Sequence, residues 1–170
     1  MLGTCALYML SAYNLNQVRL EDQVPSWVRG GSRDVSSSHP EVQRMRLVAD
    51  IAVLFVALLH LGFLVLEMFL WTKPFGRKTF GLSRELAEAS KGLAANQGLY
   101  NGFLAAGLIW GVLCRDPAFG EGAFAIKVFF LVCVIVAGIF GAITAKRSIL
   151  FVQALPGLVA LTAVWIAYRG

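Results

Sequence analysis

The sequence is poor in charged residues and in cysteine. Only 15% of its 170 residues are Asp, Glu, Lys or Arg, whereas 58% are hydrophobic, a far more apolar balance than a soluble domain has. The 3 cysteines are odd in number and lack metal-site spacing, so neither a disulfide framework nor a metal centre is predicted. A phosphate-binding loop and a nucleophile motif are also lacking. The composition indicates an integral membrane protein, and no motif indicates a particular reaction, cofactor or nucleic acid.

The N-terminal region lacks the marks of a secretory signal. No basic residue precedes Arg19, and the apolar start of the chain is shorter than a membrane span. Residues 1–44 have no helical or strand period and are predicted to be a disordered extension. Because Met45 stands just before the first long apolar run, we expect the natural chain to start there; a genuine flexible tail is the alternative.

Four apolar runs are long enough to cross a hydrocarbon core of about 30 Å as helices of roughly 20 residues. The alternating segments of a transmembrane barrel are missing. The predicted fold is therefore all-α: a polytopic membrane protein whose residues 45–170 form one bundle of four transmembrane helices. The predicted spans are about 47–71, 93–113, 124–144 and 149–168.

Small residues indicate how these spans pack. A ridge of such residues runs along the second span, and another occupies 137–142 of the third, so neighbouring backbones can approach closely. We expect spans one and two to form an antiparallel hairpin and the third span to pack against the second; the glycine-rich faces also make a homo-oligomer possible. Pro156, followed by Gly157, should kink or locally open the last span. The second-span ridge consists of Ala94, Gly98, Gly102 and Ala106.

Basic residues in the loops bear on topology. The loops 72–92 and 145–148 share one side and carry seven Lys and Arg residues, against four on the other side if the chain starts at Met45. The positive-inside tendency then makes these loops cytoplasmic in a multi-pass protein of the cell membrane. If residues 1–44 are retained, the opposite side carries eight and the preference is lost.

Polar side chains within the spans form the candidate site. Measured from the basic loops, they occur at similar depths, which predicts one pocket that opens toward those loops in one half of the membrane. Glu67 should point into the bundle at the level of Asn96 and Gln97, with His60 deeper on the same face. A purely structural network of interhelical hydrogen bonds is the alternative. The candidate ligand-binding residues are His60, Glu67, Asn96, Gln97, Tyr100, Asn101 and Gln153.

Three long motifs resemble a known family. The segments LEMFLWTKPFGRKTFGLS, KGLAANQGLYNGFLAAGLIWG and VIVAGIFGAITAKRSILFVQALPGLVAL resemble, in order, the bacterial and fungal domain of unknown function 1304, over about residues 47–168. The family pattern WTTPRGRK is replaced here by WTKPFGRK. The resemblance implies a small four-span inner-membrane protein and no established activity.

Three functions are compatible with these features. The first is binding or transport of a small molecule in the polar pocket, where amides donate and accept hydrogen bonds. The second is a membrane enzyme acting on a lipid-like substrate, with His60 and Glu67 as the acid–base pair; their offset of about 10 Å along the helix makes this awkward. The third is a structural or accessory subunit. The expected partners are membrane lipids, a small molecule and a second copy of the chain.

Overall fold

A computed structural model describes residues 40–114 and 120–169 of the chain. All secondary structure in these two ranges is helical, so the predicted all-α class is confirmed. Pro40–Gly170 forms one compact unit. Most of the predicted N-terminal extension lies outside the described residues, and residues 40–44 belong to the first helix. The elements are α1 (Pro40–Met68), α2 (Pro74–Phe80), α3 (Arg84–Leu113), α4 (Gly120–Thr144), a π-helical turn (Leu150–Ala154) and α5 (Leu155–Arg169).

Three helical stretches are long and apolar enough to cross a membrane. They are Pro40–Met68, Glu121–Thr144 and Leu150–Arg169. Helix α3 has 30 residues but is not among them, because the three amides of its central part lower its mean hydropathy. Three such helices suggest a multi-pass membrane protein.

The first long loop is more ordered than its sequence predicted. It contains α2, which begins at Pro74 and ends at Gly81, whose left-handed φ of 69° favours glycine. Helix α3 begins well before the predicted boundary at residue 93 because Ser83 caps it: the Ser83 hydroxyl oxygen accepts a hydrogen bond from the Leu86 N–H at 3.2 Å. Residue 93 is the start of the predicted apolar span, and the helix itself begins earlier, at the N-cap that Ser83 provides.

Helices α1 and α3 form the expected antiparallel pair. A methyl group added at Gly98 would lie 2.7 Å from the Met68 side chain, and one added at Gly102 would lie 2.6 Å from that of Leu64. The second-span ridge therefore packs against the first span, as predicted, because glycine leaves room for the neighbouring side chains.

The ridge of the third span packs against a different helix from the one predicted. Gly138 lies against the backbone of Ala154, and Gly141 lies against Ile149, so this ridge contacts the following segment and not α3. The short connection at 145–149 places α4 and the chain after it side by side, and small residues near the connection let this hairpin close. Helix α3 contacts α4 elsewhere, through Gly107 and Gly111.

The last span opens locally, as Pro156 predicted. Leu150–Ala154 is π-helical, and the Leu155 N–H donates to the Leu150 carbonyl five residues earlier. Proline has no N–H to donate and its ring crowds the preceding turn, and a π-helical turn relieves that crowding by widening the helix.

The bundle contains two hairpin pairs, α1 with α3, and α4 with α5 and its π-helical turn, and α1 also packs extensively against α5. We call the part containing residues 61–68, 84–104, 135–144 and 149–159 the Glu67 half, and the part containing residues 40–60, 105–114, 120–134 and 160–169 the Lys127 half. The large apolar side chains that are buried lie in the Lys127 half, with Val134 at the boundary, against Gly157. In the Glu67 half, the described residues that are buried are Ala or Gly, apart from Asn101.

Contacts between the two helix pairs also lie mainly in the Lys127 half. The glycine contacts in the Glu67 half join helices of the same pair, whereas Gly107 with Phe130 and Gly111 with Lys127 join α3 to α4 in the Lys127 half. The pairs are therefore held together mainly at one end of the bundle.

Candidate functional site

A hydrogen bond between Glu67 and Asn101 links α1 to α3 in the Glu67 half. The Asn101 Nδ2 donates to Glu67 Oε2 at 2.7 Å and also to the Gln97 carbonyl at 3.3 Å. Asn101 is only 6% exposed, and Glu67 is half-buried. The expected interhelical bond of Glu67 is thus present, and its partner is the amide one turn deeper than Asn96 and Gln97.

His60 lies deeper on α1 and is fully buried, with 0% of its surface exposed. Its Nδ1 is 2.8 Å from the Val56 carbonyl oxygen, and since a carbonyl can only accept, Nδ1 carries the proton. In the neutral ring the other nitrogen, Nε2, is then an acceptor, and it is buried without a hydrogen-bond partner among the described residues. The ring also contacts Phe63 edge to face, with 5.7 Å between centroids.

Gln153 lies on the π-helical turn of the other pair. Its Nε2 donates to the Val134 carbonyl at 3.3 Å, so this amide holds α4 against the last span. Since Gln153 is only half-buried, the side chain remains partly accessible.

The remaining candidates lie on the outer side of α3. Asn96, Gln97 and Tyr100 are exposed, and no hydrogen bond joins their side chains to Glu67 within the part of the chain described. Tyr100 is four residues from Asn96 and three from Gln97, so the three side chains lie within an arc of about 100° on α3. The structure therefore brings Glu67 and Asn101 together and directs these three side chains away.

A second polar cluster, which the sequence interpretation missed, lies in the Lys127 half. The Lys127 ammonium donates to Asp50 Oδ1 at 2.5 Å and to the Tyr168 hydroxyl at 3.0 Å. Lys127 is 2% exposed, and its aliphatic stem lies against Gly111. One side chain on α4 thus contacts α1, α3 and α5, and we call Lys127, Asp50 and Tyr168 the lysine cluster.

The expectation that all strongly polar groups share one side of the membrane is therefore wrong. Asp50 and Lys127 form the ion pair of this cluster. Each lies three residues inside the start of its predicted span, and those starts lie on the same side, so matching their depths would have paired them.

Side chains around the lysine cluster are aromatic and basic. The Arg46 guanidinium lies 5.0 Å from the Tyr168 ring centroid, and that of Arg169 lies 4.8 Å from the Phe124 ring centroid. Arg169 also pairs with Glu121 at 2.9 Å, and both of these side chains are largely exposed. Such a belt is typical of a membrane boundary, where rings and long basic side chains reach the polar region.

Neither cluster resembles a metal centre. The described residues contain no group of three His, Cys, Asp or Glu side chains placed to hold a metal ion.

Apolar helices that enclose polar clusters at two depths define a helical, multi-pass type of membrane protein. The chain matches the family described as "Protein of unknown function (DUF1304)" over residues 54–165, and it belongs to that family. It is similar to the uncharacterized protein YpaA of Lactococcus lactis subsp. lactis (strain IL1403), with 28% identity over 111 residues that make up 64% of this chain and 89% of YpaA. No solved structure matches it significantly.

Proposed function

We propose that the protein binds or transports a small amphipathic molecule in the Glu67 half, between its two helix pairs. The observation that carries the proposal is the uneven core: large buried side chains pack the Lys127 half, whereas the Glu67 half is held within each pair by small residues. In lipid, helices associate through close van der Waals packing and interhelical hydrogen bonds, so the lack of large buried side chains between the pairs in the Glu67 half leaves that interface to a ligand's apolar body.

Polar groups support the same location. Glu67 and Asn101 are contributed by one pair and Gln153 by the other, and their hydrogen bonds stay within their own pairs among the residues described. Carboxylates and amides at membrane depth are costly and commonly mark a substrate site. A ligand between the pairs would find polar groups on both sides and apolar surface beneath them.

The proposal includes α3 as a fourth transmembrane helix. Its 30 residues can extend about 45 Å, which exceeds the hydrocarbon thickness of about 30 Å. It also pairs along its length with α1, which is long and apolar enough to span. The loops 72–92 and 145–148 then lie on one side of the cell membrane, which the positive-inside tendency makes the cytoplasmic side.

A homo-oligomer would need a surface other than the glycine ridges. Gly98, Gly138 and Gly141 face other helices of the same chain. The outer face of α3, with Asn96, Gln97 and Tyr100, is the polar surface left for contact with lipid or with a second copy.

The experiment is native mass spectrometry of the purified chain, released from mild detergent, to detect molecules that copurify with it. We expect a bound amphipathic species in the wild-type protein and its loss in Asn101→Leu, which removes the amide that holds Glu67. Glu88→Gln is the matched control, because Glu88 is exposed and pairs only with Lys91 at the surface of α3. If wild type and Asn101→Leu carry the same species in the same amounts, the pocket is not where we propose it.

A further inference from the structure

The two carboxylates of α1 within its apolar run have different partners. Asp50 forms an ion pair with the Lys127 ammonium. Glu67 accepts a hydrogen bond from the neutral amide of Asn101, and no Lys, Arg or His side chain of the described residues lies within ion-pair distance of it. An ionised Glu67 therefore lacks a counter-charge among residues 40–114 and 120–169.

The Glu67 carboxylate is also held in one orientation. Asn101 is buried and makes two hydrogen bonds, one to Glu67 Oε2 and one to the backbone of its own helix. This arrangement fixes one carboxylate oxygen and leaves Oε1 for another donor. Gly98 permits the close approach of α1 here, since a methyl group at this position would lie 3.1 Å from the Glu67 Cβ.

We infer that the molecule bound between the helix pairs is a lipophilic amine, with its ammonium group at Glu67 Oε1 and its apolar body between the pairs. This assignment rests on the proposed function and names its ligand class. An ammonium supplies three donors and a positive charge; an alcohol of equal length supplies a donor only, and a fatty acid adds a second negative charge. Glu67 should therefore bind an amine more tightly than an alcohol or a fatty acid of equal apolar length, because only the amine supplies a positive charge.

His60, one residue outside the Glu67 half, does not select the ligand in the same way. His60 Nε2 accepts hydrogen bonds, but the side chain is fully buried and lies about 10 Å from Glu67 along the helix axis. A short headgroup held by Glu67 does not reach it. Selectivity for the amine is thus expected to depend on Glu67.

The test uses the purified full-length chain in detergent and radiolabelled dodecylamine as the probe. Unlabelled dodecylamine, dodecanol and dodecanoic acid compete for the bound label. On the wild-type chain we expect dodecylamine to compete at least about tenfold more strongly than either of the others, since hydrogen bonds to charged groups contribute enough for one decade in affinity. Glu67→Gln should weaken dodecylamine binding by a similar factor, and the control Glu88→Gln should leave it unchanged.

Two results would overturn the inference in distinguishable ways. Saturable binding in which all three compounds compete equally would refute the amine assignment and leave the pocket in place. Absence of saturable binding for all three, together with no copurifying molecule, would count against the pocket itself. The competition series on the wild-type chain needs no variant, so it decides the question even if Glu67→Gln fails to fold.

Discussion

Lys127 is the side chain whose replacement should destabilise the bundle most. It is 2% exposed and donates hydrogen bonds to Asp50 and Tyr168. Lys127→Met keeps most of the side-chain volume but leaves the Asp50 carboxylate without its ammonium. Removing one partner of a buried ion pair costs about 3–5 kcal/mol of stability, whereas replacing both partners with apolar residues is commonly neutral or stabilising. We therefore expect Lys127→Met to lose about 3–5 kcal/mol and Asp50→Leu with Lys127→Met to recover most of that loss.

The assay is reversible unfolding of the purified protein in mixed micelles with increasing sodium dodecyl sulfate, followed by tryptophan fluorescence. Arg169→Met provides the matched control, since it removes an ion pair of the same bundle end in which Arg169 and Glu121 are largely exposed. Exposed pairs contribute about 0–1 kcal/mol. A loss below about 1 kcal/mol for Lys127→Met, equal to that of the control, would refute the argument that the lysine cluster holds the helices together.

Three further predictions test the packing and the topology. Gly138→Ala should destabilise the folded bundle by about 1–3 kcal/mol, because the new methyl group would lie 2.7 Å from the Ala154 backbone nitrogen. The same unfolding assay measures this loss. Gly62→Ala is the control and should be neutral or slightly stabilising, because a methyl group at Gly62 would have nothing within 4 Å. Ser83→Ala should lower the free energy of unfolding by about 1 kcal/mol, because it removes the N-cap of α3, and Ser83→Asp should restore that stability. Equal stability of the wild-type, Ser83→Ala and Ser83→Asp proteins would contradict the capping role. Alkaline phosphatase fused to the C-terminus should be active in a bacterial host, because the proposed cytoplasmic position of loops 72–92 and 145–148 puts that end outside. An inactive phosphatase fusion together with a fluorescent green fluorescent protein fusion would reverse the proposed orientation.

The sequence predicted the helices better than their partners. Length and apolarity gave the all-helical class, and Pro156 correctly predicted the local opening that appears as a π-helical turn. The ridge around Gly138 showed that a close contact exists, but a small residue carries no information about which helix approaches it. The structure gives that contact to Ala154, because the adjoining hairpin brings this segment closest.

The candidate site was predicted unevenly for a related reason. Glu67 and Asn101 were identified by their polarity and depth, and the structure joins them. Asn96 and Gln97 share that depth but are exposed, because depth along a helix does not specify which face a residue occupies. Each residue is rotated by about 100° from the one before it, so adjacent residues at nearly the same depth in the membrane point to different sides of the helix.

The two polar clusters differ in ways that assign them different roles. In the lysine cluster, a carboxylate, an ammonium and a phenol satisfy one another, and the helices around them are closely packed. In the Glu67 half, the carboxylate has only an amide partner, and the two helix pairs are not joined by large buried side chains. A buried charge that is paired inside the fold helps to hold the helices together. A carboxylate without a counter-charge can still gain a favourable interaction by binding a cationic ligand or a proton. The lysine cluster is therefore expected to act as the fixed end of the bundle, and substitutions there should alter stability before they alter binding.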